Sequence, residues 1–148
     1  MSKSVGVLLL FALAAAGCGD DSTGPSEANL AGAWTLSATN VSGQGVSCNL
    51  SPTPVTISQS GTTFTGTYGP GTVTCVSGTE SVSFSVQGSV VNGSVSGNAV
   101  QFDLDTQDVH HTGSLSGNSM SGTVRWTIDF GGDIGIVTLN GNWAAARQ

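Results

Sequence analysis

Basic residues are nearly missing from this chain of 148 residues: three Lys and Arg stand against nine Asp and Glu, a net charge of −6. That excludes nucleic-acid binding, since neutralising phosphates takes clusters of Lys and Arg. Charge of either sign is scarce, at 8%. Coiled coils and helical bundles are excluded with it, because they are rich in Ala, Glu, Lys, Leu and Arg. No apolar run reaches the roughly 20 residues that span a bilayer. Motifs of chemistry are missing too. There is no G-x-S-x-G elbow for a serine nucleophile and no GK[ST] phosphate loop. Neither histidine has an evident buried acid partner, so no enzyme, no cofactor and no metal site is expected.

What is abundant is small and polar. Ser and Thr supply 38 residues and Gly 22. This is the composition of an extracytoplasmic β-protein, and the length suits one domain, typically of roughly 100–150 residues.

The N-terminus reads as an address. Lys3 gives a short positive start, and Val5–Ala16 is a twelve-residue apolar run of the length of a signal h-region. The following Ala15-Ala16-Gly17-Cys18 resembles the lipobox of bacterial lipoproteins. The resemblance implies cleavage before Cys18 and acylation of its thiol, and several acyl chains anchor firmly at about 0.8 kcal/mol per buried CH₂. The other reading is a plain signal peptide that leaves Cys18 free. Gly19 after the cysteine, by resemblance to sorting in Gram-negative bacteria, favours the outer membrane over the inner. Gly19–Ala28 is polar and acidic, with too little apolar surface to fold. The expected organisation is therefore a signal peptide over residues 1–17, an acylated cysteine with a flexible tether over 18–28, and a folded domain over 29–148.

Cys48 and Cys75 remain. In an oxidising compartment two cysteines most simply pair; the alternative is a two-thiolate metal site.

Apolar and polar residues alternate with period two through the rest. Trp34-Leu36-Ala38, Val55-Ile57, Phe64-Tyr68, Val82-Phe84-Val86, Val100-Phe102-Leu104, Val124-Trp126-Ile128-Phe130 and Val137-Leu139 each share one parity. Such segments are strands with one apolar and one wet face. Turn signals separate them at Ser60-Gly61, Pro70-Gly71, Ser77-Gly78, Asn92-Gly93, Gly97-Asn98, Gly117-Asn118, Gly131-Gly132 and Asn140-Gly141. Gly93-Ser94-Val95-Ser96-Gly97-Asn98 echoes in Gly113-Ser114-Leu115-Ser116-Gly117-Asn118, as in a meander of related hairpins. The pattern predicts an all-β domain of about eight to ten antiparallel strands. Closure into an up-and-down barrel removes exposed edges; the alternative is a two-sheet sandwich.

Gly32-Ala33-Trp34 at the first strand and Arg147 at the end of the last resemble the lipocalin and avidin groups of small barrels. Phe64-Thr65-Gly66-Thr67-Tyr68 is similar to the third strand of the avidins. The resemblance implies a calycin-type barrel in which Gly32, Trp34 and Arg147 are structural, with the indole packed against the guanidinium. The chain also resembles the small barrel lipoproteins that inhibit lysozyme, which carry a lipobox and a disulfide.

His110 and His111 are adjacent, so on a strand they point to opposite faces and make a poor chelate. Asp103, Asp105 and Asp108 lie nearby, yet a solvated polar loop accounts for all five. Asp103 and Asp105 face solvent opposite Phe102 and Leu104, without the burial that tunes a carboxylate pair into a general acid and base.

The remaining resource is the apolar interior. Phe64, Tyr68, Phe84, Phe102, Trp126 and Phe130 are the expected lining of a site for a small apolar ligand; the alternative is that these rings fill a solid core. The expected function is non-enzymatic binding by a lipid-anchored lipoprotein of the bacterial envelope. Its partners are the membrane, through the lipid, and a small apolar ligand or an envelope protein. The runner-up is a structural, adhesive or hydrolase-inhibiting lipoprotein acting through loops, with Asn40–Pro54 and Leu104–Thr112 the longest candidates.

Overall fold

The computed structural model describes residues 26–106, 108–132 and 135–148. The lipobox, Cys18 and most of the expected tether lie outside them. Eight strands follow in chain order: β1 (Gly32–Gly43), β2 (Val46–Ser60), β3 (Thr63–Ser77), β4 (Glu80–Ser96), β5 (Ala99–Leu104), β6 (Asp108–Ser116), β7 (Ser119–Asp129) and β8 (Ile136–Arg147). Each pairs antiparallel with the next, and β8 pairs back onto β1, giving a closed up-and-down barrel. Period-two patterning needs one dry side, and closure supplies it without leaving the sheet open. No helix or second sheet occurs among the described residues.

Four hairpins repeat one turn. Ser60-Gly61-Thr62, Ser77-Gly78-Thr79, Ser96-Gly97-Asn98 and Ser116-Gly117-Asn118 each place a glycine at φ near +60° in a two-residue loop. A positive φ at the first central position is the type II′ geometry, whose twist matches that of the strands.

Three of the expected turns lie inside strands instead. Asn92-Gly93 is a bulge in β4, with Asn92 at φ 53° and a register shift between Val91 and Ser94. Pro70-Gly71 sits in β3, after a cis peptide bond at Gly69 and between register shifts from Tyr68 to Gly71. Asn140-Gly141 lies in β8, where Gly141 lets the backbone of Val41 approach. Asn and Gly relieve strain equally in a turn and in a bulge, so the local signal is the same.

The bulges switch which parity faces inward. In β2 the buried residues are Val46, Cys48 and Leu50, then Thr53, Val55 and Ile57. In β3 they are Phe64 and Tyr68, then Val73 and Cys75. Both loops proposed as long recognition segments are also corrected. Asn40–Pro54 is the end of β1, a tight turn at Gln44-Gly45 and most of β2; Leu104–Thr112 is mostly strand, with β5 ending at Leu104 and β6 starting at Asp108. Polar residues on the wet face of a strand read like a loop when the apolar partners are sparse.

Cys48 and Cys75 form a disulfide. They are cross-strand partners of β2 and β3, their Cα atoms 4.0 Å apart, and both are buried. The two-thiolate metal alternative is thereby excluded.

The β3–β4 hairpin extends beyond its neighbour on one side. β4 has 17 residues and β5 only six, so β5 covers just Val90–Ser96 of β4. Among the described residues no strand pairs with the other edge of Ser81–Gln87.

Candidate site at the open end of the barrel

The two ends of the barrel differ. At one, the chain entering β1 is drawn across the opening. Leu30 is fully buried there and its carbonyl accepts the Trp34 Nε1–H at 2.8 Å. Gln59 holds this segment from β2: its Oε1 accepts Leu30 N–H at 2.6 Å and its Nε2 donates to Ala28 O at 2.9 Å. Arg147 closes the far side, donating to Ala31 O at 2.7 Å and Asn29 O at 2.5 Å. Its guanidinium lies 4.4 Å from the centre of the Trp34 ring and 3.3 Å from where a Cβ on Gly32 would stand. Gly32 has φ 122°, a conformation L side chains rarely adopt. Backbone carbonyls that would otherwise face outward with no partner are satisfied by two side chains from distant strands.

Above this plug the interior is solid. Phe102 stacks on His111 at 4.4 Å and meets the edge of Trp143 at 5.3 Å; Phe64 lies 6.1 Å from Phe102. The space left among Trp34, Leu36, Phe64, Phe102 and Met120 is about 10 Å³, at the lower limit of the roughly 10–15 Å³ that a single water needs. Glycines make room for the rings. A Cβ on Gly93 would fall 2.5 Å from the Phe64 ring, and one on Gly113 2.9 Å from the Trp143 ring. These are corresponding positions of the sequence echo.

His111 sits in this core with neither ring nitrogen hydrogen-bonded among the described residues. Burial pushes its pKa down to about 3, against the opposing pull of Asp103, so the ring is neutral. His110 points outward, as adjacent strand residues must. Its Nδ1 lies 2.5 Å from Asp103 Oδ1 and its Nε2 2.7 Å from Asp108 Oδ1. Asp105 turns away to accept the Ser89 N–H at 2.8 Å. No three His, Cys, Asp or Glu side chains among the described residues converge as metal ligands.

Among the described residues, the opposite end, ringed by the β1–β2, β3–β4, β5–β6 and β7–β8 connections, is open. An apolar cavity of about 30 Å³ lies just inside it, among Tyr68, Phe84, Val86, Leu104, Val109 and Trp126. Tyr68, Thr106 and Trp126 of its wall carry polar groups. Tyr68 is 3% exposed, its hydroxyl hydrogen-bonds the Thr106 hydroxyl, and burial raises its pKa. Trp126 is 5% exposed, and its indole N–H is buried with no acceptor among the described residues. A buried donor left unpaired costs about 1–3 kcal/mol. Farther out, Val46, Val82, Phe130 and Val137 line a recess of about 400 Å³.

The six aromatic residues expected to line a site therefore divide. Phe64 and Phe102 lie in the solid half; Tyr68, Phe84 and Trp126 line the inner cavity, and Phe130 the outer recess. Sequence reasoning did not find Gln59, Thr106 or Val86. Gln59 acts on residues 29 and 31 positions away, and no local signal marks such a contact.

No protein family, curated protein or solved structure matches this chain.

Proposed function

We propose that the protein is a lipid-anchored lipoprotein of the bacterial envelope that binds a small apolar ligand at the open end of its barrel, without catalysis. The observation carrying the ligand reading is the inner cavity: an apolar wall of Phe84, Val86, Leu104, Val109 and Trp126, the last with an indole N–H that is buried and has no acceptor among the described residues. Ligand pockets combine an apolar lining with a few placed polar groups in this way. Volume together with position at the barrel mouth locates the ligand, since recesses of about 520 and 320 Å³ also lie on the outer wall. The inner cavity of about 30 Å³ admits only a small terminal group, whereas the recess of about 400 Å³ matches the roughly 300–1,000 Å³ of small-molecule sites. The body of the ligand then rests between Val82 and Phe130, with its apolar inner end against Phe84 and Trp126.

Anchoring is supported by Ala15-Ala16-Gly17-Cys18 behind the apolar run. A tether leaving at the plugged end directs the open end away from the membrane. Titration with the neutral apolar fluorophore N-phenyl-1-naphthylamine tests the site. Saturable binding is expected, weakened about tenfold or more by Phe84→Ser, which removes burial worth roughly 1.5–3 kcal/mol. Absence of binding, or equal affinity in the variant, overturns the ligand reading. Release of the protein from membranes by Cys18→Ser checks the anchor separately.

A further inference from the structure

We infer that the free edge of β4 is a self-association surface, through which two copies of this chain pair antiparallel about a two-fold axis. Three observations carry the inference. The first is the edge. The Gly78-Thr79 turn closes on Ser77 paired with Glu80. In a two-residue hairpin the flanking pair exchanges hydrogen bonds and the alternation continues from there. Glu80, Val82, Phe84 and Val86 therefore turn their backbone groups toward β3. Ser81, Ser83, Ser85 and Gln87 turn theirs outward, where no strand of the described chain meets them. The Thr74 and Ser83 hydroxyls, 2.8 Å apart, fit the close approach of a non-hydrogen-bonded pair. The free edge ends at Ser89, where Asp105 takes over the hydrogen bonding.

The second observation is that nothing among the described residues protects this edge. Exposed edges are ordinarily blunted by charge, proline or a bulge. Ser81-Val82-Ser83-Phe84-Ser85-Val86-Gln87 contains no charge, no proline and no glycine. Its inner face is apolar and partly uncovered, with Val82 52% exposed and Phe84 and Val86 half-buried.

The third observation selects a second copy as the occupant. The segment reads almost the same in both directions about Phe84, with Ser83 mirrored by Ser85, Val82 by Val86, and Ser81 by Gln87. Outward groups sit on odd-numbered residues in both copies. Every antiparallel register that pairs them consequently sets even-numbered residues against even-numbered ones on the same face. Val82, Phe84 and Val86 of each copy then cover those of the other, and like charges do not meet within Ser81–Gln87. A symmetric contact of this kind closes on itself as a dimer.

Sedimentation equilibrium of the full chain in a Cys18→Ser background, in detergent-free buffer, reads the association. A dimer with Kd below about 1 mM is expected. Ser83→Pro removes one outward N–H while leaving the β3 ladder intact, and should raise Kd at least about tenfold. Ser83→Lys, which sets like charges together across the axis, should do the same without altering the backbone. The Cys48–Cys75 disulfide and the near-UV circular dichroism report whether each variant is folded. A monomer at all concentrations up to about 1 mM overturns the inference. So does a dimer that the folded Lys variant forms with unchanged Kd, since it uses another surface. The pairing is read from Kd alone, so an absence of N-phenyl-1-naphthylamine binding leaves the inference standing, even though Val82, Phe84 and Val86 serve both surfaces.

Discussion

His111 is an uncomfortable core residue, an imidazole stacked on Phe102 with no hydrogen bond for either nitrogen among the described residues. Its folded pKa of about 3 lies below the roughly 6.5 of an unfolded chain. Between these values the unfolded state holds a proton that the folded state does not. The stability tied to this residue is thus complete above about pH 6.5 and is lost as pH falls toward 3, by up to about 1.4 kcal/mol per pH unit. His111→Leu is predicted to remove that share. Urea unfolding of both proteins from pH 7 to pH 4 checks it, with the difference between the two curves changing steadily in favour of the variant as acid is added. Parallel curves would show that His111 does not titrate with unfolding. The sequence showed that His110 and His111 face opposite ways, because strand alternation is local. Which of them is inside, and that the buried one rests on Phe102 and Trp143, depends on strands joined only by folding.

At the level of strands and turns, the period-two pattern and the Ser-Gly turns were legible and gave antiparallel hairpins in chain order. The bulges were not, since Asn92-Gly93 and Pro70-Gly71 carry the residues of a turn. The difference is whether the flanking strands continue past the glycine, and long-range pairing decides that. The glycines of the echo show the same division. Gly93 and Gly113 look like hairpin residues, yet each is a space for a ring from another strand. A Cβ on Gly113 would also stand 2.2 Å from Ser121 O, and a backbone atom there cannot swing away as a side chain can. Gly113→Ala is predicted to cost about 1–3 kcal/mol or more through overpacking, whereas Ser114→Ala, exposed on the same strand, stays within about 0.5 kcal/mol. Thermal denaturation of the two variants measures the contrast.

For the molecule as a whole, closure makes β1 and β8 neighbours, and the disulfide joins β2 to β3 across 27 residues. Constraining a loop of that length in the unfolded chain contributes about 3.5 kcal/mol on the loop-entropy account. Cys48→Ala with Cys75→Ala is predicted to lower unfolding stability by roughly 2–4 kcal/mol while keeping the barrel. Far-ultraviolet circular dichroism through a urea titration tests both parts, and a loss of under about 1 kcal/mol would show that the unfolded state is already compact there.

An all-β antiparallel domain, its alternating faces, five of its turns and the pairing of its two distal cysteines followed from the sequence alone. Each rests on residue neighbours or on a count of two. The barrel expected from edge removal and from the resemblance is what the chain forms; the strand pattern by itself left the sandwich open, because both bury the same one-faced strands. Tertiary structure alone decided which end is closed: Arg147 caps Ala31 across 116 residues. The same folding left Phe84 at the edge of an open mouth and buried Phe102 in solid packing, although the two phenylalanines alternate identically with their neighbours. Local pattern tells a side chain which face it belongs to. How deep that face lies, and whether a neighbouring strand covers its edge, depends on the relative lengths of strands that meet only when the sheet closes.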